Sequence, residues 1–182
     1  MTPSDSQVRV NIKSVIDTAL NTLYVGNTSP RVWSRWILSL NLGENAAALR
    51  ALSGNSKGKI HGWMIGTGSV LRQRPDIGDG FNTQSIQKRG PTRRDVIKGY
   101  RVWAFMQYRE GDESINSEND FLAELEYIQD AIDKAPTLNF TDIEVRGHKS
   151  LIFPTIDVYP FGDTRIHLAQ GVLEVVFHRH LI

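Results

Sequence analysis

The chain has 182 residues, of which 40% are hydrophobic and 23% are charged, and its formal net charge at pH 7 is +1. These values exclude wholesale disorder and predict a single globular domain, residues 1–182, with a substantial hydrophobic core. There is no cysteine, so disulfides, thiolate nucleophiles and cysteine-ligated metal centres are excluded. The amino-terminal sequence MTPSDSQVRV has no signal-peptide pattern, and no apolar run is long enough to span a membrane. We therefore expect a cytosolic protein without membrane partners.

The amino-terminal part of the chain alternates helical and strand patterns. Apolar residues recur at helical spacing over residues 6–23, and Ser4 or Asp5 can cap the start, which predicts an amphipathic helix. Residues 31–36 alternate as a short strand, and residues 44–52 form an Ala-rich stretch that predicts a brief helix. Residues 59–74 then predict the first long strand.

The carboxy-terminal part begins with a second long strand, residues 97–109, which carries apolar groups on both faces and is expected in the centre of a sheet. Residues 118–134 predict a helix, with Ser117 and Asp120 resembling a capping box. That helix should bury its apolar positions and expose its acids, which are Glu124, Glu126, Asp130 and Asp133. Strands over residues 151–159 and 165–181, turned by residues 160–163, complete an α+β fold: an antiparallel β-sheet with helices packed on one face and a long extended β-hairpin loop.

The segment that joins the two long strands is the most unusual part of the sequence. Residues 75–94 (PDIGDGFNTQSIQKRGPTRR) have turn chemistry throughout and no periodicity. A loop this long inside a compact domain is usually either functional or disordered. We expect it to protrude from the body as a basic loop at the tip of the hairpin. Its candidate contact residues are the basic side chains at both of its ends: Arg72, Arg74, Lys88, Arg89, Arg93 and Arg94.

Three interpretations of the basic loop stay open at this level. It can neutralise the phosphates of a nucleic acid. It can instead bind an acidic protein surface, and residues 110–133 of this same chain contain nine acids and no Lys or Arg, a charge separation that favours head-to-tail self-association into a ring. The third interpretation is a solvated loop without a role.

Other candidate interface residues lie outside the loop. On the acidic side they are Glu124 and Asp130 of the predicted helix. Trp33 and Trp36 stand beside Arg31 and Arg35, and Trp and Arg are enriched at interfaces. Core packing is the alternative role for both tryptophans.

Catalytic and metal-binding patterns are weak. His178 and His180 lie on one face of the last strand, where His61 or His167 would be needed as a third ligand, and no carboxylate is close in sequence. Residues 66–69 lack the Gly-Lys-Ser/Thr ending of a phosphate loop, and no Gly-x-Ser-x-Gly elbow is present. We therefore expect no enzyme activity, no catalytic residues, no metal site and no cofactor.

The order of elements, with certain residues, resembles a known family. An amino-terminal helix leads into Val25-Gly26-Asn27 and then into the Arg-aromatic strand 31–36. Next come the strand Ile60-His61-Gly62-Trp63, the long basic loop and the strand Tyr100-Arg101-Val102. The acidic helix with Phe121-Leu122 and a final hairpin complete the order. This order is similar to that of tail terminator or neck proteins, the head-tail connector components of long-tailed bacteriophages. The resemblance covers nearly the whole chain, and residues 38–58 stand where the family usually has a brief insert.

The resemblance implies a structural virion protein that forms a hexameric ring at the end of the phage tail tube. Such a ring terminates tail assembly and joins the tail to the head-side connector. The implied partners are further copies of the chain, the tail tube protein, the head-side connector or neck protein, and the DNA that passes through the bore, contacted non-specifically. The implied location is the virion tail and neck, and the host cytoplasm during assembly. The alternative is a monomeric or dimeric nucleic-acid-binding module that uses the basic loop.

Overall fold

The computed structural model describes residues 3–24, 29–35, 60–75, 93–108, 114–145, 151–161 and 164–180. Within these ranges lie two helices, neither of which is long and apolar enough to cross a membrane, and a seven-stranded sheet. The predicted α+β class is confirmed. The predicted short helix at residues 44–52 lies outside the described ranges. The elements are α1 (Asp5–Leu23), β1 (Arg31–Trp33), β2 (His61–Pro75), β3 (Arg93–Gln107), α2 (Ser114–Asp133), β4 (Ile143–Val145), β5 (Leu151–Ile152), β6 (Ile156–Phe161) and β7 (Thr164–His180).

The strand order in the sheet is β1-β2-β3-β7-β4, and β5 and β6 also pair with β7. β3 therefore lies between two long neighbours, as predicted for a strand with apolar groups on both faces. β1 pairs with β2 in parallel, whereas the other described strand pairs are antiparallel as predicted, so the sheet is mixed. Parallel neighbours require a long crossover, and residues 34–60 are long enough to supply one.

The two faces of the sheet differ in what covers them. On one face, the apolar stripes of α1 and α2 pack against strand residues in the main core, which includes Ile12, Ile128, Trp63, Tyr100, Leu173 and Phe177. On the opposite face, Ile60, Met64, Phe105 and Ile166 form a second, smaller core, with Trp33, Trp103 and Leu168 packed against it. The helices thus lie on one face, as predicted, and the other face carries its own apolar cluster.

The start of α1 is fixed by its own cap and by β3. Ser4 and Gln7 form a capping box, and Asp5 in the first turn accepts hydrogen bonds from Lys98 Nζ at 2.6 Å and from the Tyr100 hydroxyl at 3.1 Å. Burial and the nearby Asp5 carboxylate raise the pKa of Tyr100 above its ordinary value. The hydroxyl therefore stays protonated and donates to the helix end.

Several predicted boundaries are wrong. α2 begins at Ser114, so Ser117 lies inside the helix, where its hydroxyl pairs with His167 at 2.9 Å, and it does not form a capping box. The predicted strand 151–159 is two strands, β5 and β6, and β4 was not predicted. β6 continues through Pro160 to Phe161, so the first two residues of the predicted turn 160–163 belong to a strand. Pro160 is compatible with this position because β6 pairs with β7 on one side only among the described strands.

Candidate interaction surfaces

The long hairpin stays paired to its end. β2 and β3 are paired as far as Pro75 and Arg94, with two register shifts on the way, and β7 pairs with β3 as far as Arg93 and His180. β7 therefore runs beside the hairpin along the whole length of β3.

The candidate basic residues fall on both sides of the strand ends. Pro75, Arg93 and Arg94, at the two ends of the predicted loop, belong to β2 and β3, and residues 76–92 lie outside the described residues. Arg72 and Arg74 occupy β2 positions opposite Ile97 and Asp95. Lys88 and Arg89 lie outside the described residues.

Glu124 is not an interface residue, and its assignment to an exposed acidic surface is wrong. Its side chain is 1% exposed and accepts hydrogen bonds from the Tyr24 hydroxyl at 2.5 Å and from the Trp63 indole nitrogen at 2.7 Å. His61 Nε2 lies 2.8 Å from the same carboxylate. Both carboxylate oxygens are therefore occupied inside the fold, where they connect the end of α1, α2 and β2.

Helical spacing gave a signal for this burial. Glu124 follows Phe121 by three residues and precedes Ile128 by four, and both of those side chains are fully buried. A residue at this spacing lies on the same face of the helix. We nevertheless expected Glu124 to be exposed because its side chain is acidic.

A second buried polar pair joins α2 to β7. His167 is fully buried; its Nε2 pairs with Ser117, and its Nδ1 has no hydrogen-bond partner among the described residues. The imidazole lies between the Phe121 ring at 5.6 Å and the Tyr108 ring at 5.1 Å. Burial lowers the pKa of His167 below its ordinary value, so the neutral ring is favoured.

The histidines considered as metal ligands do not converge in the described part of the chain. His61 and His167 face the helices, whereas His178 lies on the opposite sheet face, 3.5 Å from Glu144. Within the described residues there is no group of three His, Asp or Glu side chains that could hold a metal ion.

A basic surface that the sequence analysis did not assemble lies between α1 and β1. A pocket of about 290 Å³ is lined by Lys13 and Asp17 of α1 and by residues 31–35. Arg9 borders it and donates from Nη1 to the Ser34 carbonyl at 2.9 Å. We call this the basic pocket, and its charged groups are Arg9, Lys13, Arg31 and Arg35 against Asp17, which pairs with Lys13.

Trp33 combines the two roles considered for it. Its ring is half-buried and stacks on Phe105 at 6.1 Å with an interplanar angle of 15°, and it also lines the basic pocket. It therefore contributes to the second core and to a surface. Trp36 lies outside the described residues.

The outer face of α2 carries the acids that do reach solvent. Glu118, Glu126 and Asp130 are exposed, as predicted for Asp130. Leu122, spaced four residues from both glutamates, is 39% exposed. We call these four residues the acidic stripe. The mixture of acids with an exposed Leu gives this helix face both charge and apolar area.

Exposed apolar side chains gather at the far end of the sheet. Ile152, Tyr159 and Val172 are 60%, 43% and 40% exposed and line a hollow of about 470 Å³ beside β7. Single exposed apolar residues need no explanation, but a group of them marks a contact surface.

In comparisons with known proteins, the chain matches no protein-family model and no curated protein. The functional interpretation therefore depends on its own residues, element order and surfaces.

Proposed function

We propose that the chain is a structural virion protein and not an enzyme: a tail terminator that forms a ring at the end of a phage tail tube and joins the tube to the head-side connector. The observation that carries this proposal is the hairpin of β2 and β3, paired as far as Pro75 and Arg94. Among the β3 residues whose side chains the structure describes, Val96 is the core residue closest to that end. The strand continues three residues beyond Val96, to Arg93, which is roughly 10 Å at about 3.3 Å per residue.

The charge of this region fits a contact outside the subunit. Between positions 71 and 101 there are eight basic residues and three acids. The strands on both sides of the basic segment stay paired to their ends. A neighbouring copy, the tube or the connector is within the reach of such a segment, and so is DNA in a central bore.

The element order that underlies the family resemblance also supports the proposal. The described residues contain an amino-terminal helix, an Arg-aromatic strand, a Gly-Trp strand, a long hairpin, an acidic helix and carboxy-terminal strands, in that order. Each of these elements was part of the pattern shared with tail terminator proteins.

Electron microscopy with light scattering tests the proposal directly. Purified chain is imaged alone and after mixing with tail tubes that lack a terminator. We expect closed rings with a central bore, located at one end of the tubes. Monomers under both conditions, with bare tube ends, would overturn the proposal.

The basic segment also favours a second candidate function, a nucleic-acid-binding module. In that case a monomer binds DNA at moderate salt, and its affinity falls linearly on a double-logarithmic salt plot with a slope set by the number of phosphates contacted. A discrete monomer–DNA complex without binding to tubes would favour this alternative over the ring.

A further inference from the structure

The layer formed by the two helices has chemically different ends. On α1, Asn11 donates to the Leu138 carbonyl at 2.7 Å, and Thr18 shares a groove with Tyr127 of α2. Arg9 and Lys13 lie on the other side of α1, against β1. The basic pocket therefore lies at the β1 end of the layer.

The opposite end of the layer is formed by α2. Gln129 donates to the Leu151 carbonyl of β5 at 2.8 Å, which places this side of α2 away from α1. Glu118, Leu122 and Glu126 precede Gln129 by 11, 7 and 3 residues, and at 3.6 residues per turn these spacings place them within roughly 60° of Gln129 around the helix. The acidic stripe therefore lies toward the β5 end and outward, on the side of the layer opposite to the basic pocket.

The two surfaces match in apolar character as well as in charge. Three basic residues, one acid and Trp33 line the basic pocket, and Arg9 donates to the carbonyl of Ser34 in its wall. The acidic stripe presents three exposed carboxylates with Leu122 between them. Buried aromatic and aliphatic anchors surrounded by complementary charges are the usual composition of a protein interface.

We propose that copies of the chain join head to tail, with the acidic stripe of one copy seated in the basic pocket of the next. This inference rests on the proposed ring function and names the surfaces that form the ring. Because the two surfaces are different and lie at opposite ends of one layer, the contact is heterologous, and repeated heterologous contacts close into a ring when the rotation permits.

A second copy of the chain accounts for both the basic pocket and the acidic stripe, whereas a nucleic acid accounts only for the pocket. Phosphates would satisfy the basic pocket but would leave the acidic stripe and its exposed Leu122 without a role. A second copy uses both surfaces at once. The contact should weaken with added salt, because exposed charges are screened over about 10 Å at 0.1 M ionic strength.

Charge reversal tests the contact. The pocket variant carries Lys13→Glu and Arg35→Glu, the stripe variant carries Glu126→Lys and Asp130→Lys, and a combined variant carries all four changes. Sedimentation velocity at low salt should show self-association at least tenfold weaker for each two-site variant. The combined variant should return to within about threefold of the wild type, because its reversed surfaces are again complementary.

A matched control applies the same type of change elsewhere. Arg165→Glu with Glu144→Lys reverses two exposed charges that lie outside both surfaces, and it should associate like the wild type. Circular dichroism and unfolding midpoints confirm that every variant is folded.

The outcomes separate this inference from the ring proposal. Rings that form equally well with the pocket and stripe variants overturn the inference and leave the ring function intact. A wild-type chain that stays monomeric, alone and on tube ends, overturns both. If only the pocket variant changes behaviour, through loss of binding to a DNA duplex, then the pocket is a nucleic-acid site and the head-to-tail contact is wrong.

Discussion

The indole nitrogen of Trp63 donates to the carboxylate of Glu124 at 2.7 Å, and both side chains are buried. This bond crosses from β2 to α2, and the same carboxylate accepts from Tyr24 at the end of α1. A buried carboxylate is tolerated when its oxygens are fully hydrogen-bonded. The cluster therefore fixes both helices relative to the sheet, and with them the two surfaces that we propose to meet in a ring.

Glu124→Gln should destabilise the fold by about 1–3 kcal/mol, because the amide group presents N–H donors to a site already occupied by donors. The free energy of unfolding in urea measures the effect. Glu126→Gln, an exposed change on the same helix, is the matched control and should stay within about 0.5 kcal/mol of the wild type. Equal stability of the two variants would show that the buried network contributes little.

Acidification should destabilise the protein through His167. Burial lowers the pKa of this residue in the folded state below its ordinary value of about 6.5, so near and below that value the unfolded chain binds more protons than the folded chain. The contribution of the neutral ring is complete above about pH 7 and is lost progressively as the pH falls through 6.5 and below.

Unfolding free energies measured between pH 5 and pH 8 test the role of His167. The slope of the unfolding free energy against pH should be reduced in His167→Gln. It should be retained in His178→Gln, which removes a histidine from the opposite sheet face. An unchanged slope in the first variant would assign the pH dependence to other groups.

Asp5 and Asp17 should differ in what they contribute to α1. Asp5 accepts from Lys98 and Tyr100 and lies in the first helical turn, where a carboxylate is favourable. Asp17 pairs with Lys13 in a partly exposed i,i+4 arrangement. We expect Asp5→Asn to cost about 1–2 kcal/mol and Asp17→Asn at most about 0.5 kcal/mol in thermal or chemical unfolding. A larger loss of stability in Asp17→Asn than in Asp5→Asn would show that the contacts of Asp5 do not anchor α1.

Local periodicity predicted much of the fold but few of the tertiary contacts. On β3, alternation correctly predicted apolar side chains on both faces. Val102 and Ala104 belong to the main core, whereas Trp103 and Phe105 pack in the second core on the opposite face. It did not predict the burial of Glu124, whose hydrogen-bond donors are 61 to 100 residues away in the chain.

The basic pocket was also not predicted from the sequence, because its residues are far apart in the chain. Lys13 and Arg35 were both visible as charges, but only the packing of α1 against β1 brings them together. The parallel pairing of β1 with β2 was hidden for a similar reason, since residues close in space are joined by a long connection.

Gly62→Ala should disturb the wall of the basic pocket. A Cβ atom at position 62 would lie 2.6 Å from Trp33 Cζ3 and 2.9 Å from the Arg31 carbonyl oxygen, so β1 has to shift away from β2. We expect a loss of about 1–3 kcal/mol in stability, typical of overpacking, with weaker self-association. Near-ultraviolet circular dichroism would report the displaced Trp33, and Thr67→Ala, an exposed change on the same strand, should alter neither property.

Replacing residues 78–90 with a Gly-Ser linker should separate folding from assembly. The described strands stay paired as far as Pro75 and Arg94, and the entropy of loop closure changes by only about 0.6 kcal/mol for each twofold change in length. The melting temperature should therefore fall or rise by only a few degrees, whereas binding to tail-tube ends and the joining of heads to tails should be lost. A variant with only Lys88→Gln and Arg89→Gln tests whether charge, and not length, is responsible. If the linker variant joins heads to tails normally, then the basic segment is not needed for assembly and the hairpin does not bind a partner through it.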